Sequence, residues 1–464
     1  MPPKPQNAPK KQSVRPEDQN SVSLATISHS LFSKSRQFLS PPLIQNIKQH
    51  SYQNPSNLCF ANSTIQLLFS CPPFVKLLCS LRQENFPSYD KFPHTKAWIT
   101  LLDYLNPIIP PQRTEKFPIP DVDSPINPNQ LKGGILVPTP IYPIITLFRN
   151  LRNPPTTPIL QNPRPGPQED AAEFLSFCLN GLEEELRLQT PKKQNSTPKT
   201  KSDDEGWSVA LSGGSKRKNR TKTAAQVSVQ SEYDSLISML FAGEVASLVE
   251  KKEGIEVDDG NGSRFEISDG TTSQVTVQRF LELHVDIGTG IDDVESGLDA
   301  LWSKSSIDTT AESFSTIPLS QTLSLHALPP VLILHLKRFK VRQSFSNPSH
   351  FEFAKEQAFV SFPPVLSLSS RSGLSSSYST GRQPHYAEAS YTLFAVVEHV
   401  GATLEGGHYT TFVRRALVPQ PSGPRDSVWV HCDDSKVRFV QTDEVLQRKA
   451  YILLYVMTSL PRSK

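Results

Sequence analysis

The sequence predicts an α+β fold, with helices in the first part of the chain and an antiparallel sheet in the last part. Two runs, at residues 59–69 and 168–186, carry apolar side chains at helical spacing. A buried strand is predicted at residues 331–339, where apolar residues follow two prolines. Further strands are predicted at residues 391–400, 409–415, 428–432 and 450–456.

Composition excludes several classes of protein. Of the 464 residues, 37% are hydrophobic and 20% charged, as in globular proteins, and the 41 prolines indicate many loops. The net charge of +3 is too small to indicate a nucleic-acid partner by itself. No run reaches the roughly 18 apolar residues of a membrane span. We therefore expect no membrane association, and the N-terminus lacks the apolar core of a signal peptide.

The cysteines indicate a reducing environment. The chain has five cysteines, an odd number, and no two of them are close neighbours in the sequence. This favours free thiols and an intracellular protein. It also excludes a C-x-x-C zinc site, and we expect neither a metal nor a cofactor.

Cys59 is the candidate nucleophile. It stands where a loop ends and an apolar helix begins, close to the positive end of the helix dipole, which favours the thiolate. Asn54, five residues earlier, carries an amide that could donate to a developing oxyanion. The alternative is a buried structural cysteine, which is common in proteins.

A histidine and a carboxylate are predicted on neighbouring strands. His408 follows Gly406 and Gly407 at the start of one strand, and Asp433 and Asp434 end the next. Glycines there permit close approach of backbone or substrate. Cysteine hydrolysis needs a histidine to take the thiol proton and a carboxylate to orient the ring. Any single one of the eleven histidines is more often structural.

Several segments together resemble the ubiquitin-specific proteases, which are papain-like deubiquitinases. The cysteine box of the family resembles residues 54–66, its glutamine-aspartate box residues 168–174 and its leucine-rich box residues 332–339. The histidine box matches residues 406–411, the aspartate box residues 429–434 and the closing strand residues 450–455. They occur in family order. The branch they resemble most lacks the cysteine pairs that bind structural zinc elsewhere in the family.

The resemblance implies a catalytic domain over residues 41–458 with a helical thumb, a β palm and β fingers from residues 232–330. A disordered tail is predicted at residues 1–40, and flexible inserts are predicted at 189–230 and 367–385. Cys59 would be the nucleophile, His408 the general base, Asp433 the residue that orients it and Asn54 the oxyanion donor. Whether Asp434 shares the role of Asp433 stays open.

The family pattern also implies a channel for the C-terminal tail of ubiquitin. Carboxylates suit the arginine-bearing tail, and glycines suit its narrow end. The implied residues are Gln168, Asp170, Glu173, Gly406, Gly407 and Tyr409. For residues 168–173 the alternative is ordinary helix capping, and the two roles can coexist.

Three positions depart from the family pattern. Ser56 replaces a glycine three residues before the cysteine, Pro55 follows Asn54, and Phe60 replaces a tyrosine. A left-handed backbone at Ser56 would strain the loop and lower basal activity.

The function expected is hydrolysis of the isopeptide or peptide bond after ubiquitin's C-terminal glycine through a thioester. The expected partners are ubiquitin and ubiquitinated proteins, together with an adaptor protein. A catalytically silent ubiquitin-binding scaffold is the alternative. A third hypothesis, an RNA- or chromatin-associated factor, depends on the basic stretch at 192–222. We expect a cytoplasmic protein, and the same stretch would allow nuclear import.

Overall fold

The structure is a computed structural model that describes a little over half of the chain. Its described residues are 57–83, 91–105, 139–152, 168–187, 235–258, 264–303, 305–307, 319–343, 351–369, 388–403, 406–416 and 427–459. Asn54, Pro55, Ser56, the tail at 1–40 and the insert at 189–230 lie outside them.

Helices dominate the first part of the described chain, as the periodicity of the sequence predicts. They are α1 (Cys59–Phe69), α2 (Pro72–Gln83), α3 (Pro93–Leu105), α4 (Tyr142–Arg152), α5 (Ala171–Glu185), α6 (Leu236–Phe241), α7 (Val294–Trp302) and α8 (Thr442–Leu446). Pro72 occupies the first position of α2, where its missing N–H has no cost. Among the described residues no single helix is long and apolar enough to cross a bilayer. Only α1 and α2 together reach that length, and they are bent by 85° to one another.

Strands follow from residue 243 onward. They are β1 (Gly243–Asp258), β2 (Arg264–Phe280), β3 (Leu283–Val285), β4 (Ser305–Ile307), β5 (Leu319–Ala327), β6 (Val331–Leu336), β7 (Phe339–Gln343), β8 (Phe351–Lys355), β9 (Val365–Ser369), β10 (Glu388–Val400), β11 (His408–Ala416), β12 (Ser427–Asp433), β13 (Lys436–Val440) and β14 (Ala450–Ser459).

The largest sheet, called the palm sheet, has the strand order β13-β12-β11-β10-β14-β6-β3, with β9 also paired to β10. Its pairings are antiparallel except at β3, which joins β6 in parallel. A separate four-stranded sheet, β2-β1-β5-β4, is built from the segment expected to form the fingers. The α+β class and the antiparallel sheet are therefore confirmed.

Helix α1 is buried among the other described elements. Every one of its residues is buried, including the polar ones. Phe60 packs edge-on against Phe174 of α5, with ring centroids 5.2 Å apart. The position where the family has a tyrosine is thus filled by an apolar ring in an aromatic core, where a hydroxyl would need a partner.

Two expectations from the sequence are corrected. The apolar run predicted as one strand at 331–339 is two, because the chain turns at Arg338. The buried guanidinium of Arg338 donates to the carbonyl oxygens of Ala450, Glu356 and Ala358, at 2.6, 3.1 and 2.9 Å. Of the insert predicted at 367–385, residues 367–369 instead complete β9 and pair with β10, and the remainder lies outside the described residues.

Candidate active site

Cys59 is the first residue of α1, as predicted, and is 2% exposed. Two residues earlier, Asn57 has a left-handed backbone with φ of 55°, a conformation that asparagine tolerates better than most residues. Among the described residues of this loop the left-handed turn therefore falls at Asn57, while Ser56 lies outside them. All five cysteines are free thiols in the structure.

The register of the palm sheet brings His408 and Asp433 together. His408 begins β11 and Asp433 ends β12, and these strands pair antiparallel with Thr411 opposite Cys432. The Nε2 atom of His408 lies 2.7 Å from Oδ1 of Asp433. The prediction of a histidine and a carboxylate side by side on neighbouring strands agrees with this geometry.

The same register turns β11 toward the cysteine helix. The hydroxyl of Thr411 on β11 donates to the carbonyl oxygen of Ser63 on α1, at 3.2 Å. A hydrogen bond with the Cys59 thiol is the chief reason why the pKa of His408 is raised. Since Asp433 occupies Nε2, Nδ1 is the nitrogen left for the thiol. A helix and two strands, far apart in the sequence, thus present three side chains at one place.

The electrostatics of this site favour a protonated histidine. The hydrogen bond with Cys59 is the largest cause that raises the pKa of His408 to about 9, with Asp433 and Asp434 acting in the same direction against burial. A histidine that holds its proton beside a cysteine supplies the imidazolium member of a thiolate–imidazolium pair. Such a pair can attack a carbonyl carbon and then protonate a leaving group.

The two adjacent carboxylates make different contacts. Asp434 Oδ2 is 3.7 Å from His408 Nε2, a full ångström farther than Asp433 Oδ1. Asp434 is the first loop residue after β12, with φ of 44°. Its Oδ1 accepts a hydrogen bond from the Asn62 amide on α1, at 2.7 Å. Asp433 therefore makes the close contact with the ring, and Asp434 binds the cysteine helix.

The glycines before His408 are packed to different degrees. A Cβ atom on Gly407 would lie 2.4 Å from Nε2 of His399 and 2.7 Å from the carbonyl oxygen of Val400. A Cβ on Gly406 would meet only the hydroxyl of Thr403, at 3.2 Å. Gly407 is thus required by close approach, as glycine at a crowded backbone often is.

Asp170 is buried and its carboxylate is used within the protein. Oδ1 accepts from the backbone N–H groups of Ala172 and Glu173 and so caps α5. Oδ2 accepts from the hydroxyls of Tyr451 at 2.6 Å and Tyr409 at 3.2 Å. Burial, followed by the negative charge of Asp170, raises the pKa of both tyrosines, which stay neutral donors. The capping role considered for residues 168–173 is therefore present at Asp170.

Gln168 and Glu173 stand at the same end of α5. Gln168 is partly buried, and its Nε2 lies 3.4 Å from Nε2 of His399. Glu173 is exposed in the first turn of the helix. Of the tail-binding residues implied by the family pattern, Glu173 therefore presents its carboxylate to solvent, whereas Asp170 and Tyr409 are buried.

Sequence reasoning missed Lys355. Its ammonium group approaches Nδ1 of His399 at 2.9 Å and donates to the carbonyl oxygens of His399 and Gly401, both at 2.7 Å. Burial is the main cause that lowers its pKa to about 8. Through these hydrogen bonds Lys355 holds in place the segment between β10 and β11 that leads to His408. No signal in the sequence indicated this, because Lys355 lies outside every motif and 44 residues before its partner His399.

Two groups of described residues have metal-ligand spacing: His408 with Asp433 and Asp434, and Glu282 with His284 and His335. In the first group, Asp433 already hydrogen-bonds the His408 ring, and Asp434 already accepts a hydrogen bond from the Asn62 amide. The second group lies outside the candidate active site.

A family model described as ubiquitin carboxyl-terminal hydrolase matches residues 51–455. Ubiquitin carboxyl-terminal hydrolase 24 of Arabidopsis thaliana is 27% identical over 429 residues, covering 90% of this chain and 66% of the relative. Ubiquitin carboxyl-terminal hydrolase 10 of Mus musculus is 27% identical over 437 residues, covering 87% of this chain and 47% of the relative. The chain thus spans about half to two thirds of the length of these relatives. The branch that the sequence motifs resemble most is that of ubiquitin carboxyl-terminal hydrolase 10, and this resemblance is confirmed.

Solved structures support the fold. A chain of the SAGA DUB module Ubp8/Sgf11/Sus1/Sgf73 bound to monoubiquitin matches with a TM-score of 0.53 and 19% identity, covering 93% of this chain and 75% of that one. A chain of the same module bound to ubiquitin aldehyde also has a TM-score of 0.53, with 94% and 75% covered.

Proposed function

The chain belongs to the ubiquitin carboxyl-terminal hydrolase family, and from this we propose that it is a cysteine deubiquitinase that cleaves the bond after ubiquitin's C-terminal glycine. The observation that carries the proposal is the contact series from Cys59 to His408 to Asp433, with the pKa of His408 raised to about 9. A structural cysteine would not need a histidine that a carboxylate orients.

In the first half of the reaction the Cys59 thiolate attacks the carbonyl carbon of ubiquitin's last glycine. The resulting oxyanion collapses, the C–N bond breaks, and the His408 imidazolium gives its proton to the leaving amine. This leaves a thioester on Cys59 and a neutral imidazole. Asp433 holds the ring in position throughout and stabilises its charged form.

In the second half a water molecule attacks the thioester carbonyl. His408 takes one proton from the water, the C–S bond breaks, and ubiquitin leaves as a carboxylic acid that loses the second proton to solvent. The released thiolate and the imidazolium restore the starting pair. We assign the oxyanion contact to the Asn54 amide, which stands five residues before Cys59.

We further propose that the tail of ubiquitin enters beside the N-terminal end of α5. Glu173 is the exposed carboxylate there and is suited to an arginine of the tail. Gln168, Gly406 and Gly407 would form the channel walls. Asp170 and Tyr409 would act from behind the wall, since their hydrogen bond is buried.

Ubiquitin and ubiquitinated proteins are the proposed partners in the cytoplasm, with the nucleus as a second location. An adaptor protein is proposed because the SAGA neighbour is part of a module with further subunits.

The test uses the full chain with a ubiquitin C-terminal fluorogenic amide and a ubiquitin-based electrophile. We expect turnover of the first and covalent labelling by the second, and both should be lost in Cys59→Ala. Cys79→Ala is the matched control, because Cys79 is a partly exposed free thiol on α2. Circular dichroism should show that both variants fold.

Hydrolysis that persists in Cys59→Ala would contradict the proposed mechanism. Ubiquitin binding without turnover or labelling in the unmodified chain would instead identify a catalytically silent scaffold.

A further inference from the structure

A second cluster of titratable side chains lies at the β3 edge of the palm sheet. His284 on β3 and His335 on β6 are direct partners in the parallel pairing of these strands. Their rings are 4.9 Å apart and nearly perpendicular. Glu282 lies in the bend just before β3, and its carboxylate lies close to both rings. Three ligand-type side chains are thus placed together by the register of two strands.

The carboxylate of Glu282 is only partly satisfied. Its Oε1 accepts the hydroxyl of Ser176 on α5, and Nε2 of His284 lies 3.7 Å from the same oxygen. Its Oε2 is buried and has no hydrogen-bond partner within the described residues. A buried carboxylate oxygen without a partner is costly, so such a group calls for a cation or a donor.

The histidines are suited to binding a metal ion. His335 is half-buried on β6, and imidazole is a common ligand of transition metals in proteins. His284 has 49% of its side chain exposed and gives an ion access from solvent. The ligand atoms of the three residues all lie within 4.8 Å of one another. A tetrahedral site needs about 3.3 Å between ligand atoms, which rotation of the exposed His284 side chain can approach.

We propose that Glu282, His284 and His335 bind a divalent transition-metal ion, with zinc as the preferred ion. Two imidazole nitrogens and one carboxylate oxygen form a ligand set that zinc accepts, with a fourth position open to water. The site is separate from Cys59 and His408, and the proposal does not depend on the proposed hydrolysis.

The surroundings of the cluster give the ion a mechanical role. The Ser176 hydroxyl orients Glu282 from α5, as outer hydrogen bonds orient metal ligands. The ring of His335 packs edge-on against Tyr451 at 4.8 Å, and Tyr451 donates to Asp170, the cap of α5. A bound ion would therefore connect two palm strands to the helix that they face. Because it binds only the folded arrangement, zinc should raise the thermal midpoint.

The experiment titrates the chelator-treated full chain with zinc, in a Cys59→Ala background that removes the candidate active-site thiol as a competing ligand. Calorimetry measures stoichiometry and affinity, and cobalt substitution reports coordination through its visible absorption. We expect one ion per chain and a higher thermal midpoint with zinc. His284→Ala and Glu282→Gln should abolish both effects, and Ser176→Ala should weaken binding by about tenfold.

His326→Ala is the matched control. His326 lies 3.9 Å from Glu244 on the neighbouring finger strand, in a pair that has no third metal-ligand residue among the described residues. This variant should bind zinc as its parent does, and His408→Ala should as well.

Zinc binding that survives His284→Ala and Glu282→Gln would overturn the proposal. If His326→Ala lost as much zinc binding as His284→Ala, the binding would be adventitious and at the surface. If His408→Ala lost zinc binding, the ion would lie at the candidate active site. If Glu282→Gln unfolds, His284→Ala still decides, because its side chain is half exposed. No zinc uptake by the parent would also reject the site.

Discussion

Asn62 donates a hydrogen bond of 2.7 Å to Asp434 and so joins the helix that begins at Cys59 to the hairpin that carries Asp433. Cys59 and Asn62 are on the same helix, and Asp433 and Asp434 are neighbours. This contact therefore sets the distance between the thiol and the pair formed by His408 and Asp433. Geometry of this kind matters because small displacements of reacting groups reduce rates strongly.

The two carboxylates should differ in their effect on catalysis. Asp433→Ala removes the 2.7 Å contact to His408, so we expect kcat/KM to fall by about 100-fold or more. Asp434→Ala removes a carboxylate 3.7 Å from the ring together with the Asn62 contact, and we expect kcat/KM to fall by about tenfold. Steady-state hydrolysis of a ubiquitin fluorogenic amide measures both.

Asn62→Ala is the control for Asp434, since it removes the same hydrogen bond and leaves both carboxylates. Equal losses in Asn62→Ala and Asp434→Ala would assign Asp434 to positioning of α1. A larger loss in Asp434→Ala than in Asp433→Ala would reverse the roles inferred here.

Activity should decline on the alkaline side at an unusually high pH. The pKa of His408 is raised to about 9 by Cys59 and the carboxylates, so the imidazolium of the reactive pair persists through neutral pH and is lost near pH 9. A raised pKa means that folded His408 binds its proton more tightly than unfolded His408 does. The protonated ring therefore stabilises the fold fully below about pH 6.5, and this stabilisation is lost as the pH rises through about 9. The pH profile of kcat/KM measures the first effect.

Asp433→Ala should move that alkaline limb to lower pH, because it removes one of the groups that raise the pKa. An alkaline limb near the ordinary histidine value of about 6.5 in the unmodified chain would contradict the imidazolium assignment.

Gly407→Ala should disturb the approach to His408, whereas Gly406→Ala should be tolerated. The Cβ on Gly407 would lie 2.4 Å from the His399 ring and 2.7 Å from a backbone oxygen, so the chain must shift. Overpacking of this kind costs about 1–3 kcal/mol. The Cβ on Gly406 meets only a hydroxyl at 3.2 Å. Thermal melts and kcat/KM of the two variants provide the comparison, and equal behaviour would show that the loop adapts freely.

Asp170→Ala should destabilise the fold more than a residue that only binds ubiquitin would. It removes a helix cap, worth about 1 kcal/mol, and leaves two buried tyrosine hydroxyls without their acceptor, at about 1–3 kcal/mol each. We expect a loss of about 3–7 kcal/mol in the free energy of unfolding, measured by urea denaturation.

Glu173→Gln is the matched control on the same helix turn. It should affect stability less than Asp170→Ala does and raise KM for ubiquitin substrates, because its carboxylate is exposed beside the proposed tail entrance. An Asp170→Ala variant of normal stability and raised KM would instead place Asp170 in the tail channel.

Much of the site could be predicted because its residues stand in local contexts with clear physical signals. Cys59 was expected at a helix start, and His408 and Asp433 at strand ends, and each lies there. Sequence could not separate Asp433 from Asp434, since neighbours share every local property. Lys355 and Asn62 were missed because their partners lie 44 and 372 residues away.

The sequence by itself determined the class of fold, the order of its elements and the chemical groups of the site, because periodicity, prolines and glycines act over a few residues. Only the tertiary structure decided that His408 lies 2.7 Å from Asp433 and that two histidines pair across β3 and β6. It also decided that Asp170 caps a helix and accepts hydrogen bonds from two tyrosines. Those outcomes depend on the register of strands and the docking of α1 on the sheet. Register and docking are set by packing between segments distant in the chain, which no local pattern encodes.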